Sequence, residues 1–111
     1  MVFRLTTGKL KIDDTVPDTD WILPINKSMG ACTAPGSDAK RDCYGHSVFT
    51  DIQDLVKAQQ STPWARKKSI SSVDLTCGWI DASPRSGDSH HDWWPEPLTH
   101  IPTATCVAEK P

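Results

Sequence analysis

The sequence predicts a small α+β domain, in which one helix packs in two layers on an antiparallel sheet of three to five strands and disulfides brace the fold. Three observations lead to this prediction. Apolar residues recur at helical spacing between about 47 and 60, and apolar and polar residues alternate between 72 and 80. Four cysteines are also spread over the 111 residues. At this length we expect residues 1–111 to form a single domain.

The helix is predicted over about 47–60. Ser47 stands where a helix N-cap would be, since its hydroxyl can accept from the free N–H groups of the first turn. Pro63 ends the pattern, because proline has no N–H to donate. The stripe that would face the sheet consists of the apolar residues at three- and four-residue intervals, which are Val48, Phe49, Ile52, Leu55 and Val56.

Three further segments are predicted to be strands. Residues 72–80 alternate in polarity over their whole length, with Val73, Leu75, Cys77 and Trp79 on the apolar side, which is typical of a half-buried antiparallel strand. Residues 2–12 are predicted to form a bulged strand or a tight hairpin. Residues 99–108 are rich in β-branched side chains, and Pro102 favours a place at the sheet edge because it cannot donate to a neighbouring strand.

The cysteines predict a disulfide framework, because a small domain with a modest core gains stability from crosslinks. The simplest of three connectivities pairs Cys32 with Cys43 and Cys77 with Cys106. Each bridge would stabilise the domain by about 3 kcal/mol. Disulfides persist in oxidising compartments, so we expect a secreted or periplasmic protein. The chain does not open with the apolar run and small-residue cleavage site of a signal peptide.

Two alternatives give Cys43 a chemical role. The Cys43-x-x-His46 spacing fits metal ligands, and Cys77, His90 and His91 could complete a zinc site in an intracellular module. Alternatively, Cys43 could be the nucleophile of a small hydrolase or toxin domain, with His90, His91 or His100 as the base. No nucleophile signature surrounds Cys43 and no second ligand pair is present. We therefore expect no catalytic residue, no metal and no cofactor, and a protein without enzymatic activity.

The long polar segment between the last two predicted strands carries the predicted binding site. Residues 81–98 are predicted to be a loop, and loops of that length are commonly functional. Five tryptophans are present, and two of them are adjacent in this segment. Neighbouring residues of an extended loop cannot both face the core, so one indole should be exposed, unless both pin the loop to the sheet. The predicted partner-binding residues are His90, His91, Asp92, Trp93 and Trp94, whereas Trp21, Trp64 and Trp79 are predicted to be core or core-edge residues.

Composition narrows the partners that we expect. A net charge of −2 gives no electrostatic basis for binding nucleic acid, and no apolar run is long enough to span a membrane. The order of a helix, a tryptophan and a strand ending in Leu75-Thr76-Cys77-Gly78-Trp79 resembles small secreted killer-toxin-like effectors of fungi. The function predicted is that of a secreted, disulfide-stabilised binding protein, effector-, immunity- or inhibitor-like, which engages a protein partner through loop 83–97. The sequence does not indicate an oligomeric state.

Overall fold

The computed structural model describes residues 1–23, 45–82 and 87–111. In these ranges the chain forms six strands and one α-helix, namely β1 Val2–Thr7, β2 His46–Phe49, α1 Ile52–Ser61, β3 Lys68–Asp74, β4 Trp79–Ala82, β5 His90–Trp94 and β6 Thr103–Ala108. Two short 3-10 helices, Asp18–Trp21 and Ala65–Lys67, accompany them. The strands form one antiparallel sheet in the order β4-β5-β2-β1-β3-β6. The predicted α+β class is confirmed, with six strands rather than three to five.

The predicted helix over 47–60 is in fact a strand followed by a helix. β2 takes the first part, and α1 begins only after Asp51, whose side chain accepts a 2.9 Å hydrogen bond from the Gln53 N–H. Ser47 is therefore not the cap. Val48 fits the helical spacing, yet its side chain is fully buried as part of a strand. The Asp51 cap marks the start of the helix and so separates α1 from β2. This boundary is hidden in the sequence because the apolar residues of β2 continue the helical spacing of α1.

The predicted strand over 72–80 is also two elements. β3 ends at Asp74 and β4 begins at Trp79, at the far end of the sheet. Gly78 makes this change of direction possible, because its φ of +85° lies in the left-handed region that side chains disfavour. The alternating pattern continued through the break, so polarity alone could not reveal it. In addition, β2 lies at the start of the predicted helix and β5 lies in the predicted loop. These differences explain why the sheet has more strands than predicted.

The two faces of the sheet are covered by different parts of the chain. On one face α1 packs against β1 and β2, and its Leu55 is fully buried, as is Ile70 of β3. The opposite face is covered by the segment that follows β1, which contributes Leu10, Val16 and Trp21. These three side chains pack with residues from five strands, which are Val2, Val48, Val73, Trp93, Ala104 and Cys106. We call these sides the helix face and the tryptophan face.

The two edges of the sheet differ. The outer edge of β6 is bonded to the segment after β1: the Asp13 N–H donates to the Cys106 carbonyl, the Cys106 N–H to the Asp14 carbonyl and the Val16 N–H to the Ala104 carbonyl, at 2.9–3.1 Å. This confirms the predicted edge position of the last strand and shows that the edge is capped. At the other end, no segment within the described ranges pairs with the outer side of β4.

Replacing Gly78 with alanine should lower the free energy of unfolding by about 2–4 kcal/mol, which combines left-handed strain with overpacking. A Cβ there would meet the Trp94 carbonyl and would lie 2.9 Å from both Pro95 Cα and Trp93 Nε1. Urea denaturation measures the change. Gly87→Ala is the matched control, because nothing lies within 4 Å of a Cβ at that position. Equal midpoints for the two variants would contradict the role of Gly78.

None of the helices in the described ranges is long and apolar enough to cross a membrane.

Candidate functional site

Trp93, one of the predicted partner-binding residues, lies at the centre of the tryptophan face and is 1% exposed. Its ring meets the Trp21 indole edge-on at 6.1 Å and the His100 imidazole at 6.4 Å. Its indole N–H donates a 2.9 Å hydrogen bond to the Cys77 carbonyl, so the polar atom of this buried ring is satisfied. Trp93 therefore holds the fold together, and its indole is not available to a partner.

A histidine and an arginine complete this buried aromatic cluster. His46 is 2% exposed, and its ring lies 5.2 Å from Trp21 and 5.7 Å from Trp93. The Arg4 guanidinium stands 4.9 Å from the centre of the Trp21 ring and donates to the carbonyls of Ser47 and Asp20, both at 3.1 Å. Burial lowers the pKa of Arg4 to about 10, against an opposing effect of Asp20. Arg4 thus remains charged at neutral pH, which suits a cation–π contact.

The segment predicted to be a free loop contains β5, the second strand of the sheet from the β4 edge. Because side chains alternate across a strand, His91 and Trp93 share the tryptophan face, whereas His90, Asp92 and Trp94 share the helix face. The five predicted partner-binding residues therefore do not form one surface. The prediction of a loop over 81–98 is wrong for 81–82, which end β4, and for 90–94, which form β5, while residues 83–86 lie outside the described ranges.

The N-terminal end of β5 is tied to the start of α1 through Ser89. The Ser89 N–H donates to the Asp54 carboxylate at 2.9 Å, and the Asp51 N–H donates to the Ser89 hydroxyl at 3.0 Å. Hydrogen bonds from Ser89 lower the pKa of the Asp54 carboxyl. Next in the strand, the His90 ring stacks on Phe49 at 5.0 Å and its Nε2 lies 3.9 Å from an Asp92 carboxylate oxygen. These contacts hold β5 in place and leave β4 as the outermost strand.

One exposed aromatic surface lies on β4. Trp79 is 71% exposed and Ile80 is 44% exposed, and all four residues of the strand are exposed. Trp79 stands directly opposite Trp94 of β5, so both indoles lie on the helix face of the sheet. We call Trp79, Ile80 and Trp94 the aromatic edge. The prediction that Trp79 is a core residue is wrong, because the strand that carries it pairs with β5 alone in the described ranges.

Trp94 is held in a defined position at the inner side of the aromatic edge. It is half-buried, and a Cβ at Gly45 would lie 3.1 Å from its Nε1 atom. Glycine at position 45 therefore leaves room for the indole to lie close to the backbone before β2. A tryptophan fixed in this way loses little conformational freedom when a partner covers it, which favours binding.

Of the two other tryptophans with a predicted core or core-edge position, one is buried and one is exposed. Trp21 is buried, as predicted. Trp64 is 63% exposed, so its predicted core position is wrong; it precedes the second 3-10 helix and has the Lys68 ammonium 5.8 Å from its ring centre. Trp64 lies between α1 and β3, outside the sheet, and it provides a control for experiments on the aromatic edge.

Cys77 and Cys106, predicted to be paired, are both free thiols. Cys106 is fully buried on β6, where burial raises the pKa of its thiol, while Cys77 lies half-buried in the turn between β3 and β4. The predicted bridge between them is wrong because the segment of Cys77 leaves the sheet at Asp74 instead of continuing beside β6. No disulfide is therefore seen among the described residues. The predicted Cys32–Cys43 pair lies outside them.

Peptide mapping tests this arrangement. We expect iodoacetamide to label Cys77 and Cys106 fully in denaturant without reductant, because neither sulfur is oxidised. In the native protein Cys106 should react far more slowly than Cys77, because it is buried and its thiol stays protonated. Labelling of these two cysteines that requires prior reduction would contradict the structure.

The zinc and hydrolase alternatives both depend on Cys43, which lies outside the described residues. Within those residues no group of three or more histidine, cysteine or acidic side chains is placed to hold a metal ion. His90 and His91, proposed as joint ligands, point to opposite faces of the sheet and so cannot share one ion. His46 is packed between two indoles, where a ligand or a base would not be accessible. Nothing in the described site favours either alternative.

Comparisons with protein-family models, with curated proteins and with solved structures found no match to this chain.

Sequence reasoning found Trp94 and missed Trp79 and Ile80. The residues near Trp79 carried a signal: Gly78 before it interrupts a strand, and Asp81, two residues after it, is a charge on what would have been the apolar side of the pattern. A glycine inside an apparently regular strand often marks a bend. Two short strands joined by that bend would have placed Trp79 at an edge instead of in the core.

Proposed function

We propose that this chain is a non-enzymatic protein-binding module that engages a partner through its aromatic edge. The observation that carries this proposal is the 71% exposure of Trp79, which stands directly opposite Trp94 on a strand whose outer side has no partner within the described ranges. Tryptophan is enriched among the residues that dominate binding energy. Of the predicted binding residues in loop 83–97, Trp94 belongs to the proposed surface. Trp93 and Asp92 are buried and help to hold β5 in place.

The exposed area of Trp79 is large enough to anchor a partner. A tryptophan side chain buries about 150–250 Å² when it is covered. Covering the exposed part of Trp79 at ~25 cal/mol per Å² would contribute about 3–4 kcal/mol, or two to three orders of magnitude in Kd. Part of that gain is offset by the loss of freedom on association. A single exposed indole on this domain is therefore a sufficient anchor for a partner.

The proposal keeps the expected class of a small binding protein and changes the reason for its stability. Cys77 and Cys106 are free, so the described core is held by packing on both faces of the sheet. The expected secreted or periplasmic location was derived from a four-cysteine framework. It stays a prediction, which now depends on Cys32 and Cys43 alone.

A displayed library of random peptides tests the proposed surface. The domain is used for selection. The affinities of the enriched peptides are then measured for the Trp79→Ser variant and for the Trp64→Ser variant, which changes a similarly exposed indole elsewhere. We expect Trp79→Ser to weaken the selected peptides at least about thirtyfold and Trp64→Ser to leave them unchanged. Peptides that bind both variants equally well, or a library that yields none, would contradict a binding function for the aromatic edge.

A further inference from the structure

We propose that the corner of the domain around Trp64 is a docking surface for an anionic lipid bilayer. The Trp64 indole enters the headgroup region, and the basic side chains around it contact the lipid phosphates. This surface is separate from the aromatic edge, and the inference does not depend on the proposed function. We call this surface the basic corner, and its residues are Lys9, Trp64, Arg66, Lys67, Lys68 and Lys110.

Basic residues from three separate parts of the chain meet at this corner. Lys68 begins β3, which pairs there with the end of β1, and Gly8 and Lys9 follow that end directly. A Cβ at Gly8 would contact the Lys67 carbonyl and would lie 3.3 Å from the Lys110 side chain. The segments that carry these lysines therefore lie side by side, although they are distant in sequence.

The positive charge of the basic corner is not neutralised by the acidic residues beside it. Within the described ranges, none of its five basic side chains forms an ion pair with a carboxylate. Glu109 precedes Lys110, but its carboxylate pairs with the Lys11 ammonium at 3.4 Å. The Asp20 carboxylate accepts a 2.8 Å hydrogen bond from the Thr7 N–H. The basic corner therefore carries an excess of positive charge, although the net charge of the chain is −2.

Trp64 projects from the body of the domain on a braced turn. Its side chain is 63% exposed, and residues 60–64 are exposed without interruption, which is typical of a projecting turn and not of the wall of a groove. Ala65 is buried beneath it, and the Arg66 guanidinium donates to the Gln60 carbonyl at 2.9 and 3.3 Å. Because the turn is held in this way, covering the indole costs little conformational freedom.

The combination of one indole with several lysines favours a membrane surface. Tryptophan is enriched at membrane interfaces, because its ring is apolar while its N–H stays in contact with water. The Lys68 ammonium lies 5.8 Å from the Trp64 ring centre, so apolar surface and positive charge are presented together. Lysine stems can lie along the apolar region while their ammonium groups stay at the level of the phosphates. Each basic residue near an anionic bilayer strengthens binding roughly fivefold.

Single-stranded nucleic acid fits the same charges less well. Proteins that bind it place successive bases on aromatic side chains along a basic groove. Within the described ranges Trp64 is the one exposed indole at the basic corner, and it stands on a projecting turn. A flat, anionic and partly apolar partner therefore suits this surface better than an extended strand of bases.

Sedimentation with sucrose-loaded vesicles tests the proposal. Vesicles of phosphatidylcholine and phosphatidylserine in equal amounts are compared with vesicles of phosphatidylcholine alone. We expect the domain to bind the mixed vesicles at least about tenfold more tightly than the neutral ones. The binding should weaken as salt is raised, because exposed charges are screened. No sedimentation with mixed vesicles at low salt, or equal sedimentation with both kinds, would overturn the proposal.

Paired variants distinguish a local surface from an effect of the overall charge. Lys67→Gln combined with Lys110→Gln should weaken binding about twentyfold or more. Adding Asp74→Lys to that pair returns the net charge to −2, but the new charge lies at the other end of β3, about 20 Å away. At physiological salt we expect this triple variant to stay as weak as the pair, because the distance exceeds the screening length. A triple variant that binds like the original protein would overturn the basic corner.

Fluorescence quenching tests the position of the indole. Lipids with brominated acyl chains quench a tryptophan that enters the bilayer. Trp64→Ser should lose most of this quenching and should bind the mixed vesicles about tenfold or more weakly, because the apolar area that enters the bilayer is removed. Trp79→Ser, on the aromatic edge, should change neither quantity. Undiminished quenching in Trp64→Ser, or an equal loss in Trp79→Ser, would contradict docking through the basic corner.

A fluorescent oligothymidylate tests the competing class of partner. We expect no measurable change in its anisotropy at physiological salt. Binding of the oligonucleotide that Trp64→Ser removes, without binding to mixed vesicles, would assign the basic corner to nucleic acid and overturn the lipid proposal. Circular dichroism melting checks that each variant folds, and the midpoints should stay close to that of the original protein because the replaced side chains are exposed. The proposed function is tested separately, by the dependence of selected peptides on Trp79.

Discussion

Replacing Trp93 with alanine should lower the free energy of unfolding by about 3–5 kcal/mol, because the truncation leaves a large cavity between the sheet and the segment that covers it. Trp93 is 1% exposed and its indole meets Trp21, His46 and His100. The same change orphans the Cys77 carbonyl that its N–H satisfies. Domains of this size have total stabilities of about 5–15 kcal/mol, so the variant should be largely unfolded in mild urea.

The measurement is equilibrium urea denaturation followed by circular dichroism, which does not depend on the fluorescence of the residue removed. Trp64→Ala is the control, since that indole is 63% exposed, and its effect should stay within about 0.5 kcal/mol. Trp79→Ala should be similarly mild, because the Trp79 side chain is 71% exposed. A Trp93→Ala variant as stable as Trp64→Ala would show that the indole is not a core residue.

Adjacent residues on β5 therefore have different roles. Trp93 and Trp94 differ by one position, and a strand turns successive side chains to opposite faces. Expecting one of the two indoles near the surface was sound, since Trp94 is half-buried and Trp93 is buried. Truncating both indoles together would remove a core side chain along with a half-buried one. A test of function in this region has to leave Trp93 in place and change Trp79 or Trp94 instead.

The part of the fold that sequence patterns could predict is the part where local and long-range preferences agree. The α+β class, the buried Leu55 and the edge position of the last strand follow from period and proline placement. β2 was missed because Val48 and Phe49 fit a helical stripe as well as they fit a strand, and its partners are β1 and β5, distant in sequence. Local periodicity contains no information on such partners.

β5 could not be recognised for a related reason. Two histidines, an aspartate and two tryptophans do not alternate in polarity, yet the strand has neighbours on both sides. His90 is accommodated by stacking on Phe49, and His91 by a 2.7 Å contact between its Nδ1 and the Ser89 carbonyl. Polar residues inside a sheet depend on such specific partners. The exposed position of Trp79 was missed for the same reason. Trp79 lies on β4, and β4 is joined to the sheet through β5.

Replacing Leu55 with aspartate should cost more than about 4 kcal/mol, enough to unfold most of the domain, because the change puts an unpaired carboxylate into the contact between α1 and the sheet. Leu55 is fully buried and is the central apolar residue of the helix. Ile52→Asp should cost clearly less, since Ile52 is half-buried and its carboxylate could reach water. Urea denaturation at neutral pH measures both changes.

Gln53→Asp is the control for the charge, since it adds the same carboxylate to an exposed position in the first turn of the helix, where a negative charge is favourable. It should leave the midpoint almost unchanged. A second readout separates a buried charge from lost packing. In Leu55→Asp, burial raises the folded-state pKa of the introduced carboxyl above its unfolded value, so the penalty is largest at neutral pH and falls as the pH is lowered through that raised pKa. The stability gap to the original protein should therefore narrow toward acidic pH, whereas a gap that is independent of pH would mean that position 55 is reached by solvent and that α1 does not pack on the sheet through this residue.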